Sequence, residues 1–516
     1  MKLTFVACND FPKLAWLARA NLSDKQVEVL HGQFVECRDS FFIEGAWNGD
    51  FAAGDFAGSH CIFGSGAVLR GETVIFVTPA STNDRLYWRG DGVAATVSNS
   101  LPLLLADIGD ELDPNCPHYP EINETILKGI SHYAKVIPTV KGSVHCLMYQ
   151  NLRIASDGME EVEKAATPHF SCFKDYSDYL HNNYAAIARN ARDPARSHPM
   201  EIYSTQSRGY DTTAVNALAK DHGIDKVFTI VQSKGAGMFA DKDKGKEGND
   251  DGSEICTVLG LTPTRINRRA FERGFPEEYL FYAGMHAMQD ANLLDIVGQI
   301  PGACLLLTGT IGELWYPDHR SHQDSVNDQL VSWDLACKGL SEMRLSAGFV
   351  QLALPYIGAR SRPDIVRITA SREMDPWRLN TYYDRPIPRR IAEEAGVPRQ
   401  MFGQVKLASV TKFPSPSIPY NLQLRGEFFE FLVDKRLLRR SQLGLFSLIH
   451  RVNAAITFRH RYKLIFYFEK LLSRICGRKV GVPPLWRRLN GSLYCYCVNK
   501  RAGEYSMLLR RAHGST

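Results

Sequence analysis

The residues best suited to do chemistry stand together in one short turn, 207–213, which reads Ser207-Arg208-Gly209-Tyr210-Asp211-Thr212-Thr213. Its hydroxyl groups and its glycine are typical of a loop that wraps an anion such as phosphate. The carboxylate of Asp211 would repel a bare phosphate, but it could hold a divalent cation that bridges to the phosphate oxygens. The turn therefore predicts a nucleotide-phosphate site. An ordinary strand–turn–helix connection capped by a threonine is the alternative.

The flanking sequence predicts the elements that would position this turn. Residues 201–205 alternate apolar and β-branched side chains, which predicts a buried strand, and an alanine-rich helix follows from Thr212 to Lys220. A helix start presents free backbone N–H groups and the positive end of the helix dipole. Further buried strands are predicted at 226–232 and 303–308. Such strands fit an open α/β sheet, which binds ligands at the carboxyl ends of its strands.

The turn resembles the pyrophosphate loop of the asparagine synthetases and their relatives, S-G-G-x-D-S-S, with Arg208 in place of the first glycine. It is not a Walker P-loop, since no G-x-x-x-x-G-K-[ST] lies near it. The resemblance implies an adenine nucleotide α-hydrolase-like (PP-loop) domain in which residues 207–213 bind the pyrophosphate of ATP. It also implies that Ile230 and Val231 lie beside the adenine and that Asp211 binds Mg²⁺ as a cofactor.

A second segment is similar to the family's other nucleotide loop, S-G-E-G-x-D-E-L. Thr308 and Gly309 match its first two positions, and Glu313-Leu314 match its end. The usual aspartate has no clear counterpart, so the resemblance implies that Glu313 completes the magnesium site together with Asp211.

Two further residues match family positions with catalytic roles. Glu342, within 339–345, matches a glutamate that faces the acceptor, where it could orient or deprotonate the attacking amine, and an arginine beside it pairs internally. A helix cap or a buried salt bridge is the alternative for Glu342. Lys406 matches a lysine that neutralises the departing pyrophosphate, with a solvated surface lysine as its alternative.

In the N-terminal part, the sequence predicts a strand and a helix within 1–40 and an antiparallel meander over 41–90. Residues 152–200 are expected to be mostly helical. The N-terminal part resembles the family's glutaminase domain, for example at Gly49-Asp50-Phe51-Ala52. Those glutaminases use a cysteine directly after the initiator methionine, but position 2 is Lys2 here. The nearest cysteine, Cys8, is predicted to be a small core residue of the first strand. We therefore expect a degenerate N-terminal-nucleophile (Ntn-like) domain without glutamine hydrolysis.

Composition supports a soluble globular protein, with 44% hydrophobic and 23% charged residues. A chain of 516 residues is long enough for two or three domains. Polar residues interrupt the first apolar stretch, and no run of about eighteen apolar residues occurs, so neither a signal peptide nor a spanning helix is expected. The 12 cysteines form no C-x-x-C pair, which indicates reduced thiols and a cytoplasmic location.

The C-terminal tail is strongly basic. Residues 421–516 contain 19 Lys and Arg against 5 Asp and Glu, a net charge of +14, so the first 420 residues carry −9 of the total of +5. Basic amphipathic stretches in this tail could contact an anionic membrane at its inner face or a protein partner. A helical appendage packed on the body of the protein is the alternative. No nucleic-acid motif is present, and a homodimer is left open.

These observations predict a β-rich degenerate Ntn-like domain (1–150), an asparagine synthetase-like PP-loop domain (151–420) and a basic helical extension (421–516). The function implied by the resemblance is an ATP-dependent, AMP-forming ligase. It would adenylate a small carboxylate and couple it to an amine or free ammonia. An inactive binding or assembly module of the same fold, or another ATP-pyrophosphatase reaction, are the alternatives.

Overall fold

Two facing sheets form the N-terminal part of the chain. The computed structural model describes residues 1–116, 118–230, 250–266, 275–284, 293–315, 340–381, 383–404, 418–448, 471–477 and 484–514. The strands of the two sheets are β1 (Lys2–Ala7), β2 (Trp16–Asn21), β3 (Gln26–His31), β4 (Glu36–Arg38), β5 (Phe41–Trp47), β6 (Ile62–Arg70), β7 (Thr73–Val77), β8 (Leu86–Gly90), β9 (Ala94–Ser98), β10 (Val136–Thr139), β11 (Gly142–Leu147), β12 (Gln150–Ala155) and β13 (Gly158–Glu163). Their orders are β1-β3-β2-β9-β8-β11-β10 and β13-β12-β7-β6-β5-β4.

Large apolar side chains fill the space between these sheets. The ring centroid of Trp16 on β2 lies 5.0 Å from that of Phe42 on β5 and 6.2 Å from that of Phe76 on β7. The antiparallel meander predicted over 41–90 is confirmed for β5, β6 and β7, whereas β8 lies in the other sheet, where it pairs with β9 and β11. The helix predicted within 1–40 is wrong, because these residues form β1 to β4. The helical expectation for 152–163 is also wrong, because β12 pairs with β7 and β13. Tertiary pairing overrides local preference in both segments.

A five-stranded parallel sheet follows, in which three strands come from segments that the sequence predicts as buried strands and two, Pro263–Ile266 and Phe349–Ala353, were not predicted. Its strands are β14 (Glu201–Gln206), β15 (Lys226–Ile230), β16 (Pro263–Ile266), β17 (Cys304–Thr308) and β18 (Phe349–Ala353). They pair in the order β16-β15-β14-β17-β18 and are all parallel. The strands predicted at 201–205 and 303–308 are therefore confirmed, as is the part of 226–232 that the structure describes.

The strand order places a winding reversal at the centre of the parallel sheet. From β14 the chain moves outward through β15 and β16, and it then continues with β17 and β18 on the other side of β14. Ligands of open α/β sheets bind outside the carboxyl ends of the strands at such a switch point. The turn after β14 and the turn after β17 therefore lie at the expected binding position.

Short helices connect the strands, and two more lie near the C-terminus. They are α1 (Leu101–Asp107), α2 (Tyr119–Glu124), α3 (Phe173–Ala191), α4 (Tyr210–Ala219), α5 (Ser253–Val258), α6 (Glu278–Ala283), α7 (Leu294–Val297), α8 (Ser341–Ala347), α9 (Arg362–Ala370), α10 (Pro386–Glu394), α11 (Leu422–Asp434) and α12 (Pro484–Gly514). Among the helices in the described ranges, none is long and apolar enough to cross a membrane.

The C-terminal helix α12 is part of the protein core. It packs on α1 and α6, and its side chains Leu493, Cys495, Val498 and Tyr505 are buried. Of the tail before α12, the structure describes residues 421–448, which include α11, and residues 471–477, and α11 buries Phe428. The tail therefore contributes packed helices to the body of the protein, as the appendage alternative predicted.

Buried polar contacts join the β-rich part to the parallel-sheet part. Arg344 of α8 donates to Glu44 of β5 at 2.9 and 3.0 Å and to Asp84 at 2.5 Å, and all three side chains are buried. Lys13 donates to backbone carbonyls that directly precede β17 and β18, including that of Ile300 at 2.9 Å. One apolar core also runs through both parts. The two parts are therefore held in a fixed relation around the sheet.

Candidate functional site

The turn between β14 and α4 is shaped by its own hydroxyl groups. The Ser207 and Thr212 hydroxyls lie 3.0 Å apart, and the N–H groups of Ser207 and Gly209 donate to these two oxygens. Thr213 is fully buried, where its hydroxyl donates to the Gly209 carbonyl and accepts from Gln206. Thr213 therefore braces the turn, while Ser207 and Thr212 remain at its partly exposed surface.

Helix α4 begins at Tyr210, two residues before the predicted start at Thr212. Its N-cap is Gly209, which provides no side-chain cap, so the first-turn N–H groups of Tyr210 and Asp211 lack that kind of partner. By contrast, the Arg208 N–H donates to Asp250 at 2.9 Å. The donors that the turn can offer to an anion are thus concentrated at the first turn of α4.

The turn after β17 lies directly against the first turn of α4. A Cβ atom placed on Gly309 would stand 2.6 Å from the Cβ of Asp211, and one placed on Gly312 would stand closer still to the Asp211 carboxyl group. Only glycine fits these two positions. The structure therefore brings the two predicted nucleotide loops together, which the sequence predicted only through the order of its motifs.

The Thr308–Gly312 turn is held in a strained conformation. Ile311 is fully buried with a φ of 62°, a left-handed value that a β-branched residue adopts at a cost. Gln351 of β18 donates to the hydroxyls of Thr308 and Thr310 at 3.2 and 3.1 Å. These contacts fix the turn against β18.

The carboxylate of Asp211 is engaged by an arginine that sequence reasoning missed. Arg385, at the N-cap of α10, pairs with Asp211 Oδ1 and has only 1% of its side chain exposed, while Asp211 retains 22%. The same guanidinium approaches the Gly312 carbonyl at 3.4 Å. Arg389, one turn further along α10, donates to the Tyr210 hydroxyl. The i, i+4 spacing of these two arginines after Tyr383-Asp384 was the available signal.

This ion pair bears directly on the predicted magnesium site. Magnesium would need the Asp211 carboxylate, but a buried guanidinium already neutralises it. Glu313 lies on the turn after β17, half-buried, and among the described residues no group of three or more His, Cys, Asp or Glu side chains could hold a metal ion. The arrangement of Asp211 therefore does not fit a metal held by this carboxylate, and the role of Glu313 stays a prediction.

Of the remaining predicted site residues, the structure describes Arg208 and Ile230. Arg208 pairs with Glu254 of α5 at 2.9 Å, so its side chain is held by that helix. Ile230 ends β15, next to β14 at the carboxyl edge of the sheet, and its place beside the adenine stays a prediction. Val231 and Lys406 lie outside the described residues. The described chain before Lys406 does run along the turn, since the Gly403 N–H donates to the Arg208 carbonyl at 2.9 Å.

Glu342 is placed away from these loops, in the seam between the parts of the protein. Its carboxylate accepts from Ser100, the N-cap of α1, at 2.6 Å, from Tyr505 of α12 at 2.9 Å and from Arg501 at 3.4 Å. It is 1% exposed. These contacts favour the buried salt bridge over the catalytic role. The internal pairing implied for the neighbouring arginine corresponds to Arg344 with its two carboxylates.

Cys8 is buried, which confirms its prediction as a small core residue, but it lies just after β1 and not within that strand. Burial raises the pKa of its thiol above the ordinary value, so the thiolate that a nucleophile needs is disfavoured.

No family model matches this chain, and no protein of curated function matches it in sequence. What the site does is therefore inferred from its own geometry together with the motifs of the sequence.

Proposed function

We propose that this protein binds ATP at the switch point of its parallel sheet and uses it to adenylate a small carboxylate, which is then coupled to an amine or to ammonia. The observation that carries the proposal is the contact between two glycine-containing turns, after β14 and after β17, at the first turn of α4. Both turns stand at carboxyl strand ends on either side of the winding reversal, where nucleotides bind in open α/β sheets.

In the proposed complex the phosphates lie at the start of α4. The N–H groups of Tyr210 and Asp211 and the hydroxyls of Ser207 and Thr212 would donate to phosphate oxygens, supported by the helix dipole. The adenine would lie beside Ile230 and Val231. Lys406 would approach the pyrophosphate as negative charge develops on it.

The chemistry has two steps. An oxygen of the substrate carboxylate attacks the α-phosphorus, the bond to the pyrophosphate oxygen breaks, and pyrophosphate leaves with its electron pair. The nitrogen of the amine then attacks the acyl carbon, AMP leaves, and the nitrogen loses a proton. The nitrogen would come from a free amine or ammonia, because the buried Cys8 does not supply a glutaminase nucleophile.

A second candidate is a nucleotide-binding or assembly module without turnover. The Asp211–Arg385 pair favours it, because the carboxylate expected to hold the metal in a ligase is already neutralised. The contacts of Glu342 with Ser100 and Tyr505 point the same way, since they use the residue that would serve the acceptor.

Exchange of labelled pyrophosphate into ATP, measured with a panel of carboxylates, separates the two candidates. The ligase exchanges with at least one acid, whereas the module binds ATP in calorimetry and exchanges with none. Gly312→Ala should abolish exchange, because its methyl group would collide with the Asp211 carboxyl group. Gly298→Ala is the matched control, since a Cβ there meets nothing within 4 Å. Failure to bind ATP at all would reject the ligase and a nucleotide-binding module, and would favour an assembly module of the same fold.

A further inference from the structure

We infer that the cation of this nucleotide site is the guanidinium of Arg385, so that the site takes the phosphates of ATP without a divalent metal at Asp211. The inference rests on the proposed ATP site and adds its metal requirement. It makes a free nucleoside triphosphate, and not only its magnesium complex, a ligand of this protein.

The position of Arg385 follows from three contacts. Its guanidinium pairs with Asp211 Oδ1, approaches the Gly312 carbonyl at 3.4 Å, and lies 5.5 Å from the centre of the Tyr383 ring. It thus touches the first turn of α4 and the turn after β17 at once. A side chain that is 99% buried between two fixed turns has little freedom to leave.

The backbone around Arg385 holds it in this place. Arg385 is the N-cap of α10, and Pro386 and Pro388 begin that helix. Arg389, one turn on, is fully buried over the Tyr210 ring at 4.9 Å and donates to the Tyr210 hydroxyl. Two arginines of α10 therefore brace two consecutive residues of α4, Tyr210 and Asp211.

Charge decides which cation the site prefers. A lone carboxylate at the start of α4 would repel phosphate, and a bridging metal would remove that repulsion. In the observed pair the guanidinium removes it already. A metal at Asp211 would either stand beside a buried positive charge or displace it, and a displaced, buried arginine without its carboxylate is strongly unfavourable.

The wild-type protein tests the inference without any substitution. Calorimetric titration with ATP in excess EDTA should give a dissociation constant within about threefold of that in excess Mg²⁺, a difference below about 0.7 kcal/mol. Binding that occurs only with Mg²⁺ would overturn the inference and leave the proposed ATP site intact. Binding under neither condition would overturn the proposed function and the inference with it.

Asp211→Asn gives the sharper contrast. If Asp211 holds a metal, this variant loses ATP binding. If Arg385 is the cation, the variant frees the guanidinium for phosphate, and affinity for ATP in EDTA stays equal or rises. Arg385→Gln should weaken binding in EDTA by about tenfold or more, and Mg²⁺ should restore part of it through the freed Asp211. Arg390→Gln on the same helix, which pairs with Glu394, is the matched control and should bind as wild type.

Discussion

Replacing Arg344 by methionine should destabilise the protein more than any surface substitution. Arg344 is 1% exposed and lies between two carboxylates, Glu44 at 2.9 Å and Asp84 at 2.5 Å. Methionine fills similar volume but leaves both acids buried without a cation. Removing one partner of a buried ion pair typically costs about 3–5 kcal/mol. Against a total stability of about 5–15 kcal/mol, this is a large fraction.

The location of Arg344 adds a qualitative expectation. Arg344 joins β5 of the β-rich part to α8 of the parallel-sheet part, so its loss should uncouple the two parts. Urea unfolding followed by tryptophan fluorescence and by far-UV circular dichroism should then shift to lower urea, with the two signals no longer coincident. Arg440→Gln is the control, because its pair with Glu430 is exposed and is worth about 0–1 kcal/mol.

The pH dependence of the same variant tests the cause. Burial raises the pKa of Glu44, and Arg344 opposes that rise. Without Arg344 the pKa of Glu44 should rise further, so the folded variant binds a proton more readily than the unfolded chain. The loss in free energy of unfolding caused by Arg344→Met should therefore become smaller as the pH falls. Adding Glu44→Gln to the Arg344→Met variant should recover part of the lost stability. A deficit below about 1 kcal/mol, or one independent of pH, would refute the reasoning.

Two further outcomes follow from buried groups elsewhere. Burial lowers the pKa of His222 below 6.5, and the neighbouring His181 lowers it further. The Nε2 atoms of the two rings lie 3.1 Å apart. Asp221 opposes this lowering of the His222 pKa, and Arg189 adds to it. The folded state therefore binds fewer protons than the unfolded chain, so the stability that His222 contributes above the unfolded pKa of 6.5 is lost as the pH falls below 6.5. Melting temperatures measured between pH about 7.5 and about 5.5 should show this loss of stability. His222→Gln should make the melting temperature depend less on pH in this range. An unchanged pH dependence in the variant would contradict the assignment of the loss to His222. Glu342→Gln should lower the melting temperature, because the Glu342 carboxylate contacts Ser100, Arg501 and Tyr505. It should leave pyrophosphate exchange and amide formation per folded molecule unchanged. Loss of amide formation at unchanged stability would instead support the predicted catalytic role of Glu342.

Local sequence was sufficient for the three central strands of the parallel sheet, β14, β15 and β17, but not for its edge strands β16 and β18 or for the N-terminal part. The strands at 201–206 and 304–308 are short apolar runs with β-branched or leucine-rich cores, followed by glycine turns, and they are buried on both faces. Residues 150–163 carry no such signal. They become β12 and β13 because β12 adds to β7 across a long connection, with Ile154 opposite Val74. Such a partner cannot be read from a window of neighbouring residues.

The order of the strands was equally out of reach, since the sequence shows where strands occur but not on which side of β14 the fourth strand adds. That choice matters for the site, because it places Gly309 and Gly312 against Asp211. The glycines themselves were visible. Their reason, close approach to a carboxyl group on another loop, was visible only once β17 lay beside β14.

The same limit explains why one motif supports two chemistries. The heptapeptide 207–213 fixes which groups stand at the start of α4, but the charge there is set by a residue 174 positions later in the chain. With a metal, Asp211 is a ligand. With Arg385, it is one half of a neutral pair that places a guanidinium beside the first-turn N–H groups of Tyr210 and Asp211. Departures from a family motif therefore need to be judged together with the residues that pack on it. Arg208, the visible departure, pairs with Glu254, whereas Arg385, outside the motif, determines the charge of the site.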